Sequence, residues 1–232
     1  MTATEDLFTP IHKAIRSMIY DVGGRLQSND FADIAGSKPL LADLEHEFTS
    51  AISSGCILCL LHEHASDEER EVFPSLEKHD SGLVRGLIED HHALARRLRT
   101  ITQMGREVLS RDNAAERVQL GAKLNQEAND FFAAYLVHMN REEEKVVPMM
   151  REHFTDDQMR TMRSTIMRGM PPDRLASILR WMFPSLSLAE LTEMLGGAKG
   201  SMPPEMFRRL SGIGEEHVDP ARWQVVRKRV GF

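Results

Sequence analysis

His64-Ala-Ser-Asp-Glu-Glu-Arg-Glu-Val-Phe-Pro74 and His138-Met-Asn-Arg-Glu-Glu-Glu-Lys-Val-Val-Pro148 are near-copies of one another within a single chain. Each places a histidine four residues before a glutamate, at His64 and Glu68 and again at His138 and Glu142. On an α-helix that spacing sets an imidazole and a carboxylate on one face, one turn apart. This is a metal-ligand spacing, and it occurs twice.

Each copy follows a weaker partner. His12 has Ile15 and Ile19 three and seven residues on, and in His91-His92 the first histidine has Leu94 and Leu98 at the same offsets. The order along the chain is therefore His, His-x-x-x-Glu, His, His-x-x-x-Glu. Two helical hairpins of one design, related by a pseudo-two-fold axis, would bring four imidazoles and two carboxylates to the middle of a four-helix bundle, where such sites are built. Neutral imidazole and carboxylate without thiolate suit iron, manganese or zinc, and argue against iron–sulfur clusters and closed structural zinc sites. Six ligands are too many for one open catalytic metal. Shared by two metals, with both carboxylates bridging, they predict a dinuclear centre with a solvent bridge and exchangeable positions.

In this pattern, with a proline closing each His-x-x-x-Glu helix, the chain resembles the hemerythrin-like, or HHE cation-binding, family of non-haem di-iron proteins over roughly residues 8 to 150. The resemblance implies an all-α, up-down four-helix bundle and two iron ions joined by an oxo or hydroxo bridge, with manganese or zinc as competitors. Its ligands carry over to His12, His64, Glu68, His91, His138 and Glu142. The oxygen carriers of the family use five His, a Glu and an Asp, with His-x-x-x-His on one helix. Here only His91 is available on that helix, so the set is more similar to bacterial members with four His and two Glu, including those that repair iron centres. That departure argues against reversible oxygen carriage and for a more open site.

At the third helix His91 is preferred over His92, because Leu94 and Leu98 then share its face. Glu69 and Glu143, one step around from Glu68 and Glu142, are expected to be solvated or to support the ligands from behind. His46, His62, His79, His153 and His217 have no partner at metal spacing and are expected to be structural or on the surface. Glu89-x-x-His92 matches the Glu-x-x-His signature of ferritin-like carboxylate bundles, but only once. Cys56 and Cys59, the only cysteines, fall in the apolar run around Ile57 to Leu61 and read as small buried hydrophobes, with a redox link to the metal from Cys56, on roughly the same face as His64, as the sharper alternative.

Thr9-Pro10 predicts a helix start, with Thr9 as N-cap, and a helix to about Gln27. Ser28 to Pro39 reads as a loop, followed by a helix from Leu40 that Pro74 ends or kinks. A third helix is expected over Leu83 to Leu109, a turn at Arg111 to Asn113, and a fourth from Ala114 to Val147, closed by Pro148. The metal-binding unit is thus placed at residues 1–154. Residues 155–232 form a C-terminal appendage of short helices, with capping boxes at Thr155-x-x-Gln158 and Ser187-x-x-Glu190, a C-cap at Gly196 and an N-cap at Asp219-Pro220. Trp181, Phe183, Phe207 and Trp223 give it a core or docking face. Ten of the fourteen methionines lie between Met149 and Met206, and ordinary core filling accounts for them better than an adaptable binding surface does.

The chain carries a net charge of −6, and its first 154 residues hold 26 acidic against 17 basic side chains, which excludes a nucleic-acid surface there. No apolar run is long enough for a bilayer, and the first residues lack the basic and apolar regions of a signal peptide, so a cytoplasmic location is expected. Three functions are open at this level. The protein binds O2, NO or peroxide for sensing, iron handling or stress defence. Alternatively it is a di-iron enzyme for peroxide decomposition, NO reduction or iron-centre repair, with Tyr135, Glu69 or Glu143 as proton donors. As a third option it is a scaffold holding zinc or nothing, in which residues 155–232 make a homodimer or bind a protein partner.

Overall fold

The computed structural model describes residues 5–45 and 57–232, and the side chains of residues 5–45 and 60–232. His46 and both cysteine side chains therefore lie outside the described residues. The described chain is helical from end to end. Helix α1 is Thr9–Ser28 and α2 is Ile34–Asp43. Helix α3, Ile57–Asp67, passes through a π-helical turn at Glu68–Val72 into α4, Phe73–Leu76. Helices α5, Ser81–Ser110, and α6, Ala114–His153, complete the bundle. Five shorter helices follow: α7 (Asp156–Gly169), α8 (Pro172–Ser185), α9 (Leu188–Ser201), α10 (Pro204–His217) and α11 (Pro220–Val230).

The bundle is an all-α, up-down arrangement of α1, α3–α4, α5 and α6. Short connections force antiparallel neighbours: Asp80 caps α5 by accepting from Leu83 N, and Asn113 caps α6 by accepting from Ala115 N and Glu116 N. Each of the four helices reads apolar, then ligand-type, then apolar. Phe8 precedes His12 and Ile15 follows it; Leu61 and Val72 flank His64 and Glu68; Leu87 and Leu94 flank His91; Met139 and Val146 flank Glu142. In space these residues build two apolar clusters with a polar layer between them. The larger packs Ile15, Ile19, Leu94, Leu98, Phe131 and Met139, and the smaller packs Phe8, Val72, Phe73, Leu87, Val146 and Met150. Burying those faces, at roughly 25 cal/mol per Å2, is what holds a layer of charged groups in the interior.

Four helix boundaries differ from the sequence expectation. Thr9 is the first helical residue and not the cap; the Asp6 carboxylate accepts from Phe8 N, Thr9 N and Thr9 Oγ1 and does the capping. Part of the expected loop before Leu40 is helix α2, capped by Asp33 and anchored by buried Leu40, Leu41 and Leu44, so the chain leaves the helix at Leu44 and Glu45 and no single helix runs from Leu40 to Pro74. Pro148 does not close α6, which continues to His153 because Val146, Val147 and Met150 are buried against Phe8, Phe73 and Leu76. Gly196 is interior to α9, not its C-cap. At Pro74 the missing N–H is absorbed differently: Phe73 N–H bonds to Glu68 O, five residues back, and the widened turn sits where Glu68 must enter the core.

The C-terminal helices have a core of their own, in which Phe183, Leu191, Leu195, Phe207, Trp223 and Val226 are buried. Gly214 is required there, since a Cβ would lie 2.3 Å from the Trp223 ring. The capping boxes at Thr155 and Ser187 and the Asp219 cap form as the sequence predicts. Helix α8 lies along α1, and Ala14 of α1 is buried within this second core. Polar ties reinforce the seam, with Lys13 Nζ 2.5 Å from Glu190 Oε1 and Arg174 paired with Glu63 and Asp67. No described helix is long and apolar enough to cross a membrane.

Candidate metal centre

His12, His64, Glu68, His91, His138 and Glu142 come together in the polar layer, from four different helical segments. Their donor atoms fall into two overlapping groups, each within 4.8 Å: His12, His64, Glu68 and Glu142, and Glu68, His91, His138 and Glu142. The two carboxylates belong to both groups. All four imidazoles turn Nε2 toward them: His64 Nε2 is 3.1 Å from Glu68 Oε1 and His138 Nε2 is 3.1 Å from Glu142 Oε1, within each repeat. Between repeats, His12 Nε2 is 3.4 Å from Glu142 Oε2 and His91 Nε2 is 3.4 Å from Glu68 Oε2. The pseudo-two-fold relation of the sequence is thus a relation of side chains.

The second glutamate of each repeat supports the other repeat from behind. Glu69 Oε1 lies 2.8 Å from His91 Nδ1, and Glu143 Oε1 lies 2.9 Å from His12 Nδ1. In the neutral imidazole such contacts hold the proton on Nδ1, so that Nε2 can offer its lone pair to a cation at the centre. Arg16 clamps Glu143 with two hydrogen bonds of 2.7 and 3.1 Å. A third outer carboxylate has no counterpart in the sequence expectation: Asp90 Oδ2 lies 3.5 Å from His138 Nδ1 and accepts from Arg141 Nη1 at 2.8 Å. Its only sequence signal is its place next to His91.

Burial, the largest influence on every group here, works against charge, so the charges that survive report strong partners. Glu68 is held well below the usual carboxylate range by His64, His12 and His91 despite burial. Burial and the facing Glu68 push Glu142 up, and His12 and His138 more than reverse this. Burial, joined by the charges of His12 and His91, keeps His64 low, whereas Glu142, Glu143 and Glu68 lift His12 well above the histidine range and Glu68 lifts His91 to about 9. Two ionised carboxylates thus share the interior with protons on His12 and His91. A metal cation would supply the same positive charge and compete with those protons.

The residues fit such a cation. Both oxygens of Glu68, both of Glu142, and Nε2 of His12, His64 and His138 are buried without a hydrogen-bond partner. Orphaned buried polar atoms are costly, and this set is nitrogen and oxygen donors aimed at one point. The chemistry of the set suits iron, manganese or zinc.

The other candidates fall elsewhere. Glu89 and His92 are exposed, which removes the ferritin-like alternative. His79 and His153 stack on each other, 3.9 Å apart, beside Phe154, and His217 is exposed. Tyr135, suggested by the sequence as a proton donor, is buried and donates to Leu61 O at 3.1 Å, and burial raises it well above the phenol range, an arrangement that suits a structural role better.

One side of the centre opens on a cavity of about 680 Å3 between the bundle and helices α7 to α10, with His64 and Glu68 in its wall. Two apolar wall residues, Ile11 and Ile15, flank His12 in the sequence.

A family model for the hemerythrin HHE cation binding domain matches residues 5–150. Searches of curated proteins and of solved structures return no match.

Proposed function

The chain belongs to the hemerythrin HHE cation-binding family, and we propose that it holds two iron ions, with His12 and His64 on one, His91 and His138 on the other, and Glu68 and Glu142 bridging both. The observation that carries this is the inward set of seven orphaned donor atoms shared between two overlapping four-residue groups. Held by these six residues alone, the two metals would retain capacity for a small exogenous ligand. Bound iron would supply redox chemistry and affinity for O2, NO or peroxide. The function proposed is binding of such a small ligand for sensing, iron handling or stress defence, within a protein that needs no membrane or nucleic-acid partner.

The residues of this chain set what reaches the centre. Apolar clusters above and below exclude bulk water. Glu69 and Glu143 are partly exposed and bond directly to His91 and His12; His12 and Arg16 hold Glu143 ionised, which leaves Glu69 as the carboxylate placed to pass a proton between solvent and an imidazole Nδ1. This favours, as a second reading, a catalyst for peroxide or NO turnover, since turnover needs proton delivery. Residues 155–232 wall the His64 side, which suits regulation of access or assembly with a partner.

The test is metal content and optical spectrum of protein purified anaerobically, then exposed to oxygen, peroxide and nitric oxide in turn. Two irons per chain, with a spectrum that responds to one of these, are expected. Zinc, or substoichiometric iron without a response, would overturn the proposal in favour of a scaffold.

A further inference from the structure

Between the bundle and the C-terminal helices lies a cleft, partly open to solvent, of about 680 Å3. That is the size of a small-molecule site, typically a few hundred to a thousand Å3. Its wall is apolar and soft: Met18, Met167, Met170, Met182, Met194 and Met202 all line it. The concentration of methionine in the C-terminal third, better explained as core filling on sequence grounds alone, is therefore in part a wall. Thioether side chains rearrange at little cost and suit ligands of variable shape.

Two donors mark where a polar group would sit. Arg174 Nε and Trp181 Nε1 are buried without hydrogen-bond partners, and both side chains line the cavity. They lie seven residues apart on α8, two turns along one face. Arg174 is 6% exposed and its terminal nitrogens are already taken by Asp67 and Glu63, so its remaining Nε is a donor without spare positive charge. Asp6, Asp67, Glu68 and Glu193 are also in the wall, and its other cation, Arg163, is paired with Glu5, so an anionic head group is disfavoured.

We propose that this cavity binds a lipid-like aliphatic molecule with an uncharged oxygen head group, its chain against the methionines and its oxygen accepting from Arg174 or Trp181. The cavity borders the metal layer at His64 and Glu68, and its methionine-lined wall needs no metal to bind the chain.

The test uses the full chain and the neutral fluorophore N-phenyl-1-naphthylamine, displaced by octanol, decanol and dodecanol. Saturable uptake near one probe per chain is expected, with displacement tightening roughly threefold per added methylene. Dodecanol should compete at least tenfold better than dodecanoate at pH 8. Ala14→Phe and Ala198→Phe, which place a ring in the cavity, should each cut probe uptake at least tenfold with helical circular dichroism retained. No uptake, displacement without dependence on chain length, preference for dodecanoate, or undiminished uptake in folded Ala14→Phe and Ala198→Phe would each overturn the proposal. If both variants unfold, the chain-length series on the unaltered protein decides.

Discussion

The two halves of the candidate metal centre are built from one repeated sequence and end in different surroundings. Around His91 and His138 the outer residues are Glu69 and the pair Asp90–Arg141, all from the bundle itself. Around His12 and His64 the corresponding positions differ. Ile11 stands one before His12 where Asp90 stands one before His91, and Asp67 stands three after His64 where Arg141 stands three after His138. An internal ion pair on one side is thus replaced by an apolar residue and a buried acid on the other. Arg174 of α8 answers that acid, and the cavity lies beside it. The difference teaches that the repeat sets the ligands, while single neighbouring residues decide which half is closed by the bundle and which depends on the C-terminal helices.

The largest expected effect tests what the halves share. Glu142→Gln should abolish binding of both metals, since the residue belongs to both donor groups, whereas His138→Ala should spare more of the His12–His64 half; iron content per chain measures each. If Glu142→Gln lost only one metal, the halves would not share their carboxylates.

The next effect separates the halves. Arg174→Ala takes the buried partner from Asp67, whose side chain is only 8% exposed, leaving it the more exposed Arg70, and should cost about 2 kcal/mol or more of stability. Arg141→Ala breaks a pair about 40% exposed on both sides and should cost less than about 1 kcal/mol. Thermal or urea unfolding of both variants checks the contrast, and equal losses would break it.

The outer carboxylates come third. Glu143→Gln and Glu69→Gln should each weaken metal binding roughly 10- to 100-fold. Glu143→Gln should have the larger effect, because Arg16 and His12 hold Glu143 at about 2 against its partial burial. Competition with a chelator of known affinity measures both.

The smallest effect is at the seam. Hydrogen bonds from Lys13 and Ser187 hold Glu190 at about 2, below its ordinary 4.5. The sign follows: the stability it contributes is complete above about pH 4.5 and is lost as pH falls toward 2. Because the pair is about one-third exposed, the amount is no more than about 1 kcal/mol. Glu190→Gln should flatten that part of the pH–stability curve, and added salt should do the same.

The metal layer was legible because its information is local and repeated: a spacing of four fixes a helix face, and the apolar residues at three and seven beyond His12 and His91 fix which face is inside. The outer role of Glu69 and Glu143 was legible in kind from their position one step around the helix. Their targets were not, because each reaches across to the other repeat. Asp90 and Arg174 left no local signal, since their partners lie 48 and 107 residues away. Helix α2 was hidden by Gly36 and Pro39, which read as a loop until Leu40, Leu41 and Leu44 find the bundle core. Pro148 misled for the same reason, because burial of Val147 and Met150 outweighs one missing hydrogen bond.

Anaerobic titration of the full chain with ferrous iron tests the central claim most directly. Saturation at two irons per chain, falling below one in Glu142→Gln, is the predicted result. Saturation at one iron, or a stoichiometry that Glu142→Gln leaves unchanged, would contradict a centre whose two halves are joined by shared carboxylates.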